Sequence, residues 1–233
     1  MNNNNIILCQ PDSKKSCSIC CGLFNFLDIS RENLSNILSN AEKRVNTFKD
    51  DHIKWIKTFD LMGIRDVTSY ICPFQGFIDS SKPGCFLHAA LNENDLRDLS
   101  IFGKKICSHF LCPSHIIFNN RIKQILIDFI DDWYYYSIAI IDPESFTWLV
   151  DCLINDFHVQ FDKNSSNHVI IRDIFYRSLE IHSKYLNHMD IPIFQYSISE
   201  YNLNKHKFYL KSNSYKTNKH RIQIKKNIEL LLK

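Results

Sequence analysis

Thiols are the residues whose type and spacing in this chain can do chemistry. Eight of the nine cysteines lie in the first 112 residues: Cys9, Cys17, Cys20, Cys21, Cys72, Cys85, Cys107 and Cys112. Cys17-x2-Cys20 is a spacing at which two thiolates reach one metal from a single turn, with loop N–H groups able to point at the sulfurs. Cys20 and Cys21 are neighbours, so their side chains leave the backbone in different directions. Either one packs away, or the two serve different metal atoms. Cys72 and Cys112 each precede a proline, which fixes a turn and removes a competing backbone donor. Cys-Pro also recurs in bacterial ferredoxin ligand loops. Gathered thiolates bury negative charge, a cost that a metal's positive charge offsets. The spacing therefore predicts one sulfur-rich site holding Zn2+ or an iron–sulfur cluster, with the Cys20-Cys21 adjacency favouring several metal atoms. Without metal this half is expected to lose its order. Disulfides are the competing reading for these eight. Cys152, alone on a regular helical pattern, reads as an ordinary buried residue.

Elements that must position the thiols follow from periodicity. Phe24-Asn25-Phe26 is a short apolar stretch able to cover the site. Ser30 reads as an N-cap for a helix with Leu34, Ile37, Leu38, Ala41, Val45 and Phe48 on one face. A shorter helix is expected after it, with Ile53, Ile56 and Phe59 on one side, ending near Gly63. Between Ile64 and Ser114 the period breaks down and turn signals crowd in, leaving a loop-rich stretch with a short helix at Asn92 to Leu99. So long a loop needs something to tie it down, and a metal would do so. The second half is helical. Phe118 to Ile141 carries one apolar stripe, Asp142-Pro143-Glu144 restarts a helix, and Asn167 to His188 forms another. Ile191 to Ile198 looks extended and pairs with Lys207 to Leu210 as a short β-hairpin, followed by a weak helix from Thr217 to Lys233. The fold class is mainly α: a loop-rich cysteine region (1–116) packed against a helical scaffold (117–202), then a basic tail (203–233).

Cys9, Cys17, Cys20 and Cys21, then Cys72-Pro73-Phe74, Gly84-Cys85-Phe86-Leu87-His88 and Cys107, resemble the zinc- or iron-chelating family of the CxxCxxCC type. The likeness covers roughly residues 9 to 112. It implies metal-binding roles for Cys17, Cys20, Cys21, Cys72, Cys85 and Cys107. Three features depart from the pattern: seven residues separate Cys9 from Cys17, His88-Ala89-Ala90-Leu91 replaces an aromatic-Glu-x-Arg-Pro segment, and Cys112 has no counterpart. A related cysteine cluster occurs in flagellin lysine methylases, and that similarity implies an iron–sulfur-dependent protein-modifying enzyme as an alternative.

The remaining signals are plainer. His109 and His115 flank Cys112 and could donate imidazoles to zinc, although exposed loop histidines are the default; His88 is similar, and His158, His182 and His188 read as surface residues on helices. Asp128, Asp131 and Asp132 read as a solvated face. The net charge of +3 conceals an asymmetry: residues 1–202 hold 19 basic and 24 acidic side chains, whereas Leu203 to Ile228 hold eight basic and none acidic. That tail, with Phe208, Tyr209 and Tyr215, could contact nucleic acid as part of a zinc protein, but a solvated terminus is the favoured reading. The N-terminus has no basic region followed by an apolar stretch, and no segment is long and apolar enough to span a bilayer. A cytoplasmic, membrane-free protein is expected, in which clustered cysteines bind metal more often than they pair. The function expected is a cysteine-ligated metal-binding protein with a structural, redox or metal-handling role.

Overall fold

The computed structural model describes residues 6–48, 51–59, 63–65, 70–188 and 218–232. The architecture is mainly helical, with one two-stranded antiparallel sheet among the described residues. Helices α1 (Arg31–Phe48) and α2 (His52–Lys57) precede a hairpin of β1 (Gln75–Asp79) and β2 (Lys82–Cys85). Short helices α3 (Gly103–His109) and α4 (Ser114–Ile117) follow, then α5 (Asn120–Phe129), α6 (Trp133–Ile141), α7 (Pro143–Asn155), α8 (His168–Asn187) and α9 (Asn218–Leu231).

One apolar core joins the N-terminal cysteine segment to the helical half. It runs from Leu8, Ile19, Leu23 and Phe24 through Leu34 and Leu38 of α1 to Ile122, Tyr136, Leu153 and Phe175, and ends at Ile224 and Ile228. Phe24 and Phe26 are buried in it. A second, smaller cluster holds Trp55, Cys72, Phe74 and Leu87. The hairpin lies against α1 so closely that a Cβ on Gly76 would come within 2.9 Å of the Ala41 Cβ and collide with the Phe86 ring. Only glycine fits there.

Local signals place the helix starts. Ser30 Oγ accepts from the Asn33 amide at 3.3 Å, and Asp142 accepts from the Ser145 amide at 3.1 Å with Pro143 opening α7. Elsewhere the structure departs from the sequence reading. The expected Phe118–Ile141 helix is two helices, interrupted at Ile130 to Asp132. Asp132 caps α6 by accepting from the Tyr134 and Tyr135 amides, both at 3.0 Å, and receives both arms of Arg31 at 2.8 and 2.5 Å. The Ile127 carbonyl, close to the end of α5, accepts instead from Lys15 Nζ at 2.7 Å. A cation taking a carbonyl near a helix C-terminus is favoured by the dipole as well as the hydrogen bond.

Other differences follow from tertiary packing. In α2 the buried residue is Trp55, while Ile53 and Ile56 are 65 % and 51 % exposed. Asn92 to Leu99 contains only the 3-10 turn Arg97–Leu99. The observed hairpin is at 75–85, and the strands expected at 191–198 and 207–210 lie outside the described residues. His182, expected at the surface, is buried, with Nε2 3.2 Å from the Asp142 carboxylate. The described end of the basic tail is not a free terminus: α9 buries Ile224 and Ile228, Lys225 Nζ meets Asp156 at 2.6 Å, and Arg221 lies 4.6 Å above the Trp148 ring. No described helix is long and apolar enough to cross a membrane.

The acidic trio is thus unequal. Asp132→Ala is expected to lower stability by about 1–2 kcal/mol through the lost cap, and Asp128→Ala by less than about 0.5 kcal/mol. Urea denaturation midpoints check this, and equal losses at the two positions would contradict the capping role.

Candidate metal centre

The Cys17–Cys21 segment is shaped by its own apolar residues. Ile19, Leu23 and Phe24 enter the core and fix the turn, which ends in the 3-10 helix Leu23–Asn25. Gly22 follows Cys21 with φ +80°, and a Cβ there would strike the Tyr70 carbonyl. That glycine lets the two chain segments approach. They are tied by the Cys72 amide donating to the Cys21 carbonyl at 2.8 Å, Asn25 Nδ2 to the Tyr70 carbonyl at 3.0 Å and the Arg65 amide to the Asn25 carbonyl at 2.7 Å. Cys21 and Cys72, 51 positions apart in sequence, therefore sit side by side.

Cys9 is brought in by the segment that separates it from Cys17. The Cys17 amide donates to the Cys9 carbonyl at 3.2 Å, closing a loop. Asp12 Oδ1 accepts from the Lys14 and Lys15 amides at 2.8 and 2.9 Å. The buried Lys15 ammonium satisfies its donors on Asp12 (3.1 Å), Asp131 (3.1 Å) and the Ile127 carbonyl, pinning the loop to α5. Ser16 Oγ donates to the Pro83 carbonyl in β2, two residues before Cys85.

Cys112 is buried at the turn into α4. Its Sγ lies 3.5 Å from Nδ1 of His115, whose Nε2 accepts from the Leu8 amide at 3.0 Å. Because Nε2 is an acceptor, the imidazole proton belongs on Nδ1 and points at the sulfur. Burial, reinforced by Lys123, lowers the His115 pKa and keeps the ring neutral. His115 is therefore buried at the site and not an exposed loop residue. The i, i+3 spacing from Cys112 was the signal for it. His109, by contrast, is exposed on α3 and bonds the Lys105 carbonyl at 2.9 Å. His88 Nδ1 accepts from the Ala90 amide at 3.1 Å.

Cys85 ends β2 opposite Gln75, and Gln75 Nε2 donates to the Cys21 carbonyl at 3.1 Å. Cys107 on α3 is exposed, with Ser100 Oγ 3.5 Å from its Sγ. Arg97, which sequence reasoning passed over, holds Asp95 with Nε at 2.8 Å and Nη2 at 2.6 Å, and its Nη1 reaches the Cys107 carbonyl at 3.4 Å. Its positive charge lowers the pKa of both Cys85 and Cys107, against the larger effect of burial.

All nine cysteines are free. Eight of them act on one another electrostatically. Burial, then Cys20 and Cys112, pushes Cys9 up to about 12. Burial, then Cys9, Cys20 and Cys112, raises Cys17. Contrary to the expected divergence of neighbouring side chains, Cys21 is within hydrogen-bond reach of Cys20 as well as Cys72; these contacts raise Cys21 and hold the other two below an ordinary thiol. The Tyr70 hydroxyl also donates to Cys72, while burial raises Tyr70 itself. Burial, then Cys72, pushes Cys85 up to about 12. Cys152 stands apart, its neighbours being Asp156 and Lys225. The donor chemistry, soft thiols in a partly buried region with a neutral imidazole and a guanidinium beside them, fits zinc or an iron–sulfur cluster. Among the described residues no three His, Cys, Asp or Glu side chains are already gathered about a point able to hold an ion.

No family model, curated protein or solved structure matches the chain. The likeness to the CxxCxxCC type rests on the motifs quoted above.

Two outcomes are expected. Lys15→Met should cost about 2 kcal/mol, the scale of hydrogen bonds to a charged group, and should speed alkylation of Cys9 and Cys17 in the metal-free chain. An unchanged alkylation rate would show that the loop does not need its anchor. The second concerns pH. Thiols at Cys9 and Cys85 stay protonated in the fold to about 12, above their ordinary 9.0. Above about 9 the unfolded chain holds fewer protons than the folded one, so metal-free stability should fall as pH rises towards about 12. A flat or rising urea midpoint over that window would contradict the buried, neutral thiols.

Proposed function

We propose that the chain is a cytoplasmic metal-binding protein whose cysteines hold an iron–sulfur cluster or zinc, in a structural, redox or metal-handling role. The observation that carries this reading is the company the thiols keep. Each of eight unpaired cysteines from distant segments has at least one other thiol in its electrostatic environment, and the ninth has none. A purely structural core gains nothing from such a grouping, because each buried thiol disfavours ionisation of the next.

A bound metal supplies the positive charge that lets the thiolates share this space, and its binding releases their protons. The chain's own residues do the rest. Asp12 and Lys15 hold the Cys9 loop, Gly22 admits the Cys72 segment, His115 directs an N–H at Cys112, and Arg97 places a cation beside Cys85 and Cys107. Outer groups of this kind orient and tune metal ligands. Rotation about χ1 is the freedom by which the sulfurs would close on an ion.

Anaerobic purification followed by metal analysis tests the proposal. Iron–sulfur loading is expected to give a brown protein absorbing near ~400 nm, whereas zinc gives a colourless one with stoichiometric metal. Cys17→Ser, Cys20→Ser, Cys72→Ser and Cys85→Ser should each lower the metal content and the stability of the loaded protein, while Cys152→Ser leaves the metal in place. Metal content independent of the first four substitutions, or thiols isolated as disulfides, would overturn it.

A further inference from the structure

We propose that the cleft along α1 binds an extended peptide segment, with the segment's backbone on Asn36 and Asn40 and one of its carboxylates at Arg44. This site is separate from the thiols and goes beyond the metal-binding reading.

Helical periodicity builds the site. Asn36, Asn40 and Arg44 follow one another at intervals of four on α1, so they form one row along the helix. All three line a cleft of about 340 Å³, a volume in the range of ligand-binding sites. Leu27, Phe59 and Gly63 line it too, and the Leu27 amide donates to the Gly63 carbonyl at 2.6 Å. Asn36 and Asn40 are exposed. Asn33, one turn earlier, already gives its Nδ2 to the Asp28 carbonyl at 2.6 Å.

Arg44 shows what the cleft lacks. Its guanidinium is half-buried, with Cζ 5.1 Å from the centre of the Phe59 ring. Nη2 is enclosed and has no hydrogen-bond partner. Among the described residues no carboxylate pairs with it, and burial lowers its pKa. An enclosed cation without a counter-charge costs stability. An incoming carboxylate offsets that cost through charge-assisted hydrogen bonds to the guanidinium fork.

The row favours a peptide over other anions. Four residues of helix rise about 6 Å, close to the two-residue repeat of about 6.6 Å in an extended chain. In such a chain every second residue presents its N–H and C=O on the same side. An asparagine amide carries both a donor and an acceptor and can meet that pair. A single-stranded nucleic acid instead needs positive charge along its whole backbone. This row holds one cation, and the cleft is also lined by the acid Asp28, which precedes α1.

The test is an NMR titration of the full chain with three tetrapeptides: acetyl-tetraalanine as the free acid, acetyl-trialanyl-aspartate amide, and acetyl-tetraalanine amide. Saturable shifts of the Asn36 and Asn40 side-chain amides are expected with the first or the second, which tells a C-terminal carboxylate from a side-chain one. The neutral third is expected to bind at least about tenfold more weakly, the scale of a hydrogen bond to a charged group. Arg44→Met should weaken the acidic peptide about tenfold while leaving the urea midpoint unchanged or higher, because it removes an unpaired cation. The exposed pair Asn36→Ala/Asn40→Ala should weaken binding with the fold intact by circular dichroism. Absence of saturable binding by both acidic peptides, or binding indifferent to these variants, overturns the proposal. So does Arg44-dependent binding of a short oligothymidylate in place of the peptides. A lowered urea midpoint for Arg44→Met with peptide binding retained marks Arg44 as a packing residue and overturns it as well. Should Arg44→Met fail to fold, the double asparagine variant decides.

Discussion

The bonds from the Cys72 amide to the Cys21 carbonyl and from the Arg65 amide to the Asn25 carbonyl splice two segments that lie far apart in sequence. That splice sets Cys21 beside Cys72, and the bonds from Ser16 to the Pro83 carbonyl and from Gln75 to the Cys21 carbonyl hold the hairpin to the same segment. It exists because Gly22 carries no side chain into the Tyr70 carbonyl, and because Ile19, Leu23 and Phe24 anchor one side of it in the core. The hairpin then extends the arrangement to Cys85, while α3 and α4 deliver Cys107 and Cys112.

The splice has an electrostatic cost. Thiols placed together in a partly buried region hinder one another's ionisation, so the metal-free fold keeps most of them protonated. Cys20 and Cys72 are shifted the other way, each held below an ordinary thiol by its hydrogen bond with Cys21. Lys15, Arg97 and His115 surround this region with positive charge or N–H donors.

Much of the fold was legible because it is local. Ser30 and Asp142-Pro143 announce their helices within a turn, and the stripe Phe146, Leu149, Val150 and Leu153 lies on a buried face as its spacing requires. The interruption between α5 and α6 was not legible. The apolar stripe continues through Trp133, and the break is met by the Asp132 cap and by Lys15, which donates to the Ile127 carbonyl 112 positions away. A six-residue α2 has too few turns for periodicity to choose between Trp55 and its isoleucine neighbours. The hairpin hides behind Gly76, Pro83 and Gly84, residues that weaken a strand pattern, though the two glycines here permit close packing. At the site, the cysteines themselves were legible from spacing. Their grouping, and the parts played by His115 and Arg97, depend on three-dimensional neighbours that spacing does not encode.

X-ray absorption at the metal edge of the anaerobically purified full chain addresses the sulfur ligation directly. The account predicts a first shell of sulfur scatterers, at about 2.3 Å for zinc. A shell dominated by nitrogen or oxygen at about 2.0–2.1 Å would contradict it.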